Sequence, residues 1–213
     1  MSRLLSLAIA LLAPFIFGGW LITLGGLSAT AETKTVNESV IPDMMVGNAD
    51  ASVTVVEYSS FTCPHCAPFH DGPYKKLKKN YIDTGKVKFV FREVYFDKVG
   101  VWSSLVARCG GQERFFGIAD LIFKGQNEWS RAGSDVAVAN ELRKIGRLAG
   151  LDDDTLESCL TDSDKIKALV GWFKENTTRD EISSTPTLLI NGEKHANMSY
   201  EDLVEIIDAQ LAK

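Results

Sequence analysis

Two thiols three residues apart, in Cys63-Pro64-His65-Cys66, stand where a strand pattern gives way to a helix pattern. That placement constrains the fold more tightly than anything else in the chain. The preceding run Val53-Thr54-Val55-Val56-Glu57-Tyr58 is β-branched and apolar, as a buried strand should be, and Ser59-Ser60-Phe61-Thr62 can form the turn after it. Pro64 suits the first position of a helix, where its missing N–H costs nothing. With Cys63 at the helix N-cap, its sulfur would face unpaired backbone N–H groups and the positive end of the helix dipole, both of which favour thiolate over thiol. Cys63 is therefore the expected nucleophile, and His65 an added donor or partial positive charge beside it. Cys66, one turn further in and more buried, is expected to attack the mixed disulfide that Cys63 forms. Each unit by which the Cys63 pKa falls stabilises the dithiol by about 1.4 kcal/mol at pH values above both pKa values, and raises the two-electron potential by about 30 mV. A strongly acidified Cys63 would make the disulfide an oxidant.

Other uses of the motif are less well supported. A zinc site needs two more ligands, and Cys109, Cys159, His70 and His195 offer no second pair at close spacing. Haem attachment needs His directly after the second cysteine, where this chain has Ala67. His70 and His195 read as surface or core residues rather than ligands, so no metal site is expected. The alternative from a different class is a periplasmic metal-binding protein that uses Cys63, Cys66 and His65 for soft ions such as Cu(I) or Zn.

The segment from Val55 to Cys66, with Phe69 following, resembles the active-site segment of the DsbA-type thiol:disulfide oxidoreductases of the bacterial periplasm. The resemblance implies an α/β thioredoxin fold, βαβ then ββα, interrupted by an all-helical insertion. The rest of the chain reads in that order. Met44-Met45-Val46 leaves room for one short strand before the motif, and Val87–Arg92 is the next strand after it. Phe69, Tyr74, Leu77 and Tyr81 continue the helix on one apolar face, kinked at Pro73. Apolar residues at helical spacing fill much of 98–180, among them Leu142, Ile145, Leu148 and Ala149, with Asp152 a candidate N-cap. Thr187–Ile190 is a strand, Asn191-Gly192 a turn, and Ser199 caps a last helix.

At 213 residues and 45% apolar, the chain can bury one good core. Its formal charge of −5 offers no basic patch for nucleic acid. Arg3, the apolar stretch Leu4–Leu27 and the small-x-small Ala29-Thr30-Ala31 read as a signal peptide over 1–31, with an uncleaved membrane anchor as the alternative. The expected divisions are then 32–97 and 181–213 for the two parts of the thioredoxin fold, and 98–180 for the helical insertion. Export places the thiols in an oxidising compartment, the periplasm, where disulfides persist.

The resemblance implies further site residues. Pro186 matches the proline that enters a strand through a cis peptide bond beside the active-site disulfide, and Thr185 would carry the substrate-facing backbone; a trans proline that merely starts a strand is the alternative. Glu57 is a charge inside an otherwise apolar strand. If buried, it could relay a proton to or from Cys66, and the family pattern has an acid there; an edge position in water is the other reading. Cys109 and Cys159, an even pair left over in an exported chain, suggest a structural disulfide closing a loop worth roughly 4 kcal/mol, unless they are reduced thiols that never meet. The expected function is donation of the Cys63–Cys66 disulfide to reduced exported proteins, with recharging by a DsbB-like membrane oxidase. A monomer is expected, with no cofactor beyond the redox-active disulfide itself. Thr185 departs from the Val of the best-known DsbA enzymes and resembles isomerases, so an isomerase or reductase of the same superfamily is the alternative.

Overall fold

Strand β2 (Val53–Ser59) owes its near-continuous burial to its place at the centre of a five-stranded sheet. The computed structural model describes residues 41–213. The signal segment assigned to 1–31 lies outside the described residues, as do residues 32–40. The sheet runs β1-β3-β2-β4-β5, where β1 is Met44–Gly47, β3 Val87–Glu93, β4 Thr187–Ile190 and β5 Glu193–Ala196. β2 pairs parallel with β3 and antiparallel with β4, so the chain must cross over between β2 and β3. The crossover is the helix that follows the two thiols.

That helix is irregular. It is α-helical over α1 (Cys66–Phe69) and α2 (Lys75–Leu77), and π-helical over His70–Tyr74 and Lys78–Ile82. Pro73 lies inside the first π segment, where it cannot supply an amide donor to the ladder. At the residue where the kink is expected, the helix is locally widened. One core joins Val55 and Ile190 of the sheet to Phe69 and Leu77 of the crossover and to Leu203 and Ile207 of α9 (Tyr200–Leu211). On the other face Tyr58 and Leu189 are buried with Phe173 of α8 (Ser163–Arg179) packed against them. A central strand covered on both faces has no water for a carboxylate. Glu57 is fully buried, so the edge position is excluded.

Between β3 and β4 the chain is helical: α3 (Lys98–Cys109), α4 (Gly111–Lys124), α5 (Gln126–Trp129), α6 (Asp135–Leu148), α7 (Asp153–Thr161) and then α8. Asp97, Ser134, Asp152 and Asp162 each accept a backbone N–H at a helix start, and each such cap is worth about 1 kcal/mol. Cys109 and Cys159 are joined by a disulfide with Cα atoms 5.8 Å apart, which ties the end of α3 to α7. One expected core position is not in the core. Leu148 is exposed, because the buried stripe of α6 runs through Leu142, Ile145 and Gly146, and Leu148 falls to the side of it. The C-terminal hairpin turns at Asn191 (φ 47°) and Gly192 (φ 87°), two left-handed residues as a tight primed turn requires.

A buried ion pair fastens the insertion to the sheet. Arg108 of α3 donates to both carboxylate oxygens of Glu93 of β3 at 2.5 and 2.7 Å, and to the carbonyl of Pro42 at 3.0 Å. Both charged side chains are 1% exposed, so neither ion can recover hydration if its partner is lost. Arg108→Met should therefore cost about 3–5 kcal/mol in urea denaturation, and replacing Glu93 by Leu in the same chain should recover much of it. A loss under about 1 kcal/mol for the single variant would show that Glu93 finds water or another donor.

Candidate active site

The turn leaving β2 delivers the first thiol to the rim of the sheet and the second beneath it. Cys63 N–H donates to Ser60 C=O at 3.1 Å, and Cys66 N–H to Cys63 C=O at 3.2 Å. The first regular helical residue is thus Cys66, with His65 at the N-cap, so Cys63 is not the N-cap residue that its sequence position suggested. The opening turn closes by an i→i+3 bond, which is tighter than an α-turn. The electrostatic consequence survives, since the backbone N–H groups of His65 and Cys66 still face the Cys63 sulfur. His65 acts there through its backbone. Its exposed side chain makes no hydrogen bond among the described residues, and Pro64 is exposed beside it.

Both thiols are reduced in this structure, and their environments push them in opposite directions. The Cys63 pKa falls to about 5: the Cys66 S–H donates to its sulfur, Thr185 and the two backbone N–H groups add to that, and partial burial opposes them. Cys66, with no exposure at all, has its thiol pushed far up by burial, by its bond to Cys63 and by the charge of Glu57. Cys63 can carry a negative charge at neutral pH and Cys66 cannot. One sulfur is therefore a ready nucleophile and leaving group, and the other needs a proton supplied or removed whenever its bond to sulfur breaks or forms.

The residues before β4 complete the rim. The Thr185–Pro186 peptide bond is cis, and the Thr185 carbonyl accepts from Cys63 Sγ at 3.4 Å. The Thr185 hydroxyl is buried with no other partner, which leaves it free to turn toward the thiolate. Next to Thr185, a pocket of about 130 Å³ is lined by Val94, Phe96, Phe173, Ile182 and Ser184, with Phe96 largely exposed.

A family model described as thioredoxin matches residues 39–209. The chain belongs to the thioredoxin family. Within it the chain is DsbA-like. The crystal structure of Wolbachia pipientis alpha-DsbA1 matches with a TM-score of 0.75 and 26% identity, over 81% of this chain and 92% of that one. The Bacillus subtilis disulfide bond formation protein D is 29% identical over 178 residues, covering 78% of this chain and 76% of the relative. A Rickettsia bellii protein, provisionally named a protein-disulfide oxidoreductase, is 35% identical over 171 residues. That match covers 78% of this chain but only 63% of the rickettsial protein. The helical segment between β3 and β4 is accordingly the insertion of a DsbA-like thioredoxin fold.

Two buried residues of this DsbA-like site escape a reading of the sequence. Gln126 of α5, far along the chain, donates to the carbonyls of Phe61 at 2.7 Å and Cys63 at 2.8 Å, so the helical insertion holds the thiol loop directly. No local pattern marks it. His70 accepts or donates at 2.8 Å to Glu57 Oε2, and both side chains are buried. Its position four residues after Cys66 puts it on the same helical face, a signal the sequence did contain. Among the described residues no cluster of three or more His, Cys, Asp or Glu has metal-ligand geometry, and no helix is long and apolar enough to cross a membrane.

Proposed function

We propose that the protein is an exported, periplasmic thiol:disulfide oxidoreductase that passes the Cys63–Cys66 disulfide to reduced exported proteins. The observation that carries this reading is the opposed displacement of the two thiols, Cys63 down to about 5 and Cys66 upward. A substrate thiolate attacks Cys63 Sγ, the Cys63–Cys66 bond breaks, and Cys66 leaves with the electron pair and takes a proton from Glu57. A second substrate thiolate then attacks the substrate sulfur of the mixed disulfide and expels Cys63 as the stable thiolate. The substrate loses two electrons, and the protein ends as a dithiol. Recharging falls to a DsbB-like membrane oxidase, and the protein works as a monomer with no cofactor other than its own disulfide. The pocket beside Thr185, with Phe96 at its edge, offers an apolar side chain of an unfolded substrate somewhere to rest.

The name of the Bacillus subtilis relative, disulfide bond formation protein D, supports the oxidising direction. Thr185 before Pro186 supports a second reading, an isomerase or reductase. Two assays separate them. The oxidised protein should restore activity to reduced, unfolded ribonuclease in proportion to the disulfide added, and should act weakly on scrambled ribonuclease. The reverse order of rates would install the isomerase reading. Copper or zinc bound tightly at one ion per chain, protecting both thiols from alkylation, would replace both with metal binding.

A further inference from the structure

Glu57 has two oxygens with different surroundings. Oε2 is held by His70 Nε2 at 2.8 Å, whereas Oε1 is buried with no hydrogen-bond partner. An orphaned carboxylate oxygen in a closed core is costly unless its proton or charge is used. The charge of Glu57 pushes the Cys66 thiol up, so the carboxylate and the buried sulfur are electrostatically coupled. Having once given its proton to Cys66, Glu57 must recover it before the next turnover. It cannot do so from water directly: its side chain is 0% exposed, whereas that of His70 is 4% exposed.

The groups around His70 leave it as the route. Its ring stacks on Phe123 of α4 at 4.1 Å between centroids and lies against Phe91 of β3 and Tyr74 of its own helix at 5.6 and 4.6 Å. The Tyr74 hydroxyl is buried and unpartnered. The charged residues of the neighbouring elements are engaged elsewhere: Asp71 with Lys75, Asp83 with Lys78, Asp120 with Lys124, and Glu93 with Arg108. Glu57 is the titratable group that His70 hydrogen-bonds, and Tyr74 the other ionisable ring against it. Imidazole carries a proton on either nitrogen and exchanges it near neutral pH, which neither flanking phenylalanine can do.

We propose that His70 is a positioning residue for Glu57, holding Oε2, leaving Oε1 to Cys66, and returning a proton from solvent to the carboxylate after each exchange. This rests on the relay role of Glu57 in the reading above. In each cycle one proton passes from water through the imidazole and Glu57 to the Cys66 sulfur as the disulfide opens, and one leaves Cys66 by the same carboxylate and imidazole to water as recharging re-forms the disulfide. No electron moves through His70.

The test compares multiple-turnover oxidation of a dithiol peptide by the wild type, His70→Gln, His70→Phe and Glu57→Gln, across about pH 6 to 8. Gln can donate to Oε2 but cannot carry a proton. Both His70 variants should lose about tenfold in kcat, below the ~100-fold that removing a direct acid or base typically costs, with KM unchanged and the wild-type pH inflection gone. His70→Gln turning over at the wild-type rate with the wild-type pH profile would overturn the proposal while leaving Glu57 in place. If Glu57→Gln is also unimpaired, the relay reading itself fails. Should both His70 variants unfold, the His70 ring carbon in the wild type decides by NMR. It should shift between the oxidised and reduced protein; a ring signal indifferent to the redox state would overturn the proposal.

Discussion

Cys66→Ala is expected to halt the reaction at its covalent midpoint. With Cys63 alone, the protein can still exchange into a substrate disulfide, because the thiolate that attacks is the acidified one. The mixed disulfide then has no internal thiol to reverse it, since the only other cysteines described, Cys109 and Cys159, are bonded to each other. Presented with a single-cysteine peptide activated as a mixed disulfide with a good leaving thiol, the variant should accumulate a one-to-one adduct visible as a mass shift on a non-reducing gel, with turnover lost entirely. Cys63→Ala should give no adduct, because Cys66 is fully buried and its thiol is pushed far up. An adduct at Cys66 in that variant would reverse the assigned roles.

The second large effect is the pH dependence of the oxidising power. A Cys63 pKa of about 5 lies below that of an ordinary thiol, about 8.5, so the reduced form is the one stabilised. The sign follows from which state holds the proton. Above about pH 8.5 an unshifted thiol would also be ionised, and the full gap, ~100 mV, applies; as the pH falls toward 5 the advantage shrinks, and below 5 it is gone. At pH 7 the remaining gap is about two units, ~60 mV, or ~100-fold in the equilibrium with glutathione. Measuring that equilibrium at pH 5 and 7 should show the advantage collapsing between them. Alkylation gives a parallel reading. At pH 5 Cys63 should react about 40-fold faster than a free thiol, its larger thiolate fraction outweighing its lower nucleophilicity. A midpoint near 8 in either experiment would remove the basis for an oxidant.

The local elements were legible because their signals are local. The β-branched run of β2, the caps at Asp152 and Ser199, and the Asn191-Gly192 turn each announce themselves within a few residues, and the structure has them where the sequence predicts. Where a prediction depended on a precise hand-off, it drifted. The helix begins at Cys66 because the turn after Cys63 is tighter than an α-turn, and Leu148 is exposed because one residue of phase on a helix is about 100° of rotation. Glu57 was legible as an anomaly, a carboxylate in an apolar strand, and spacing put His70 on the helical face of Cys66, but the pairing of the two was not legible. The sequence separates Gln126 from Cys63 by 63 residues, and nothing short of the folded insertion could join them.

By itself the sequence determined that this chain carries a dithiol at a strand-to-helix junction, that a helical segment interrupts the sheet, and that a carboxylate lies close upstream of the thiols. These are matters of pattern, period and spacing, which act over a few bonds. The tertiary structure decided how far the two sulfurs are driven apart and by which groups, that Cys109 meets Cys159, and that His70 closes on Glu57. The reason is physical. A pKa is set by burial and by whichever dipoles and charges lie within a few ångströms, and for this site those come from β2, the crossover helix, α5 and the loop before β4, which only folding brings together.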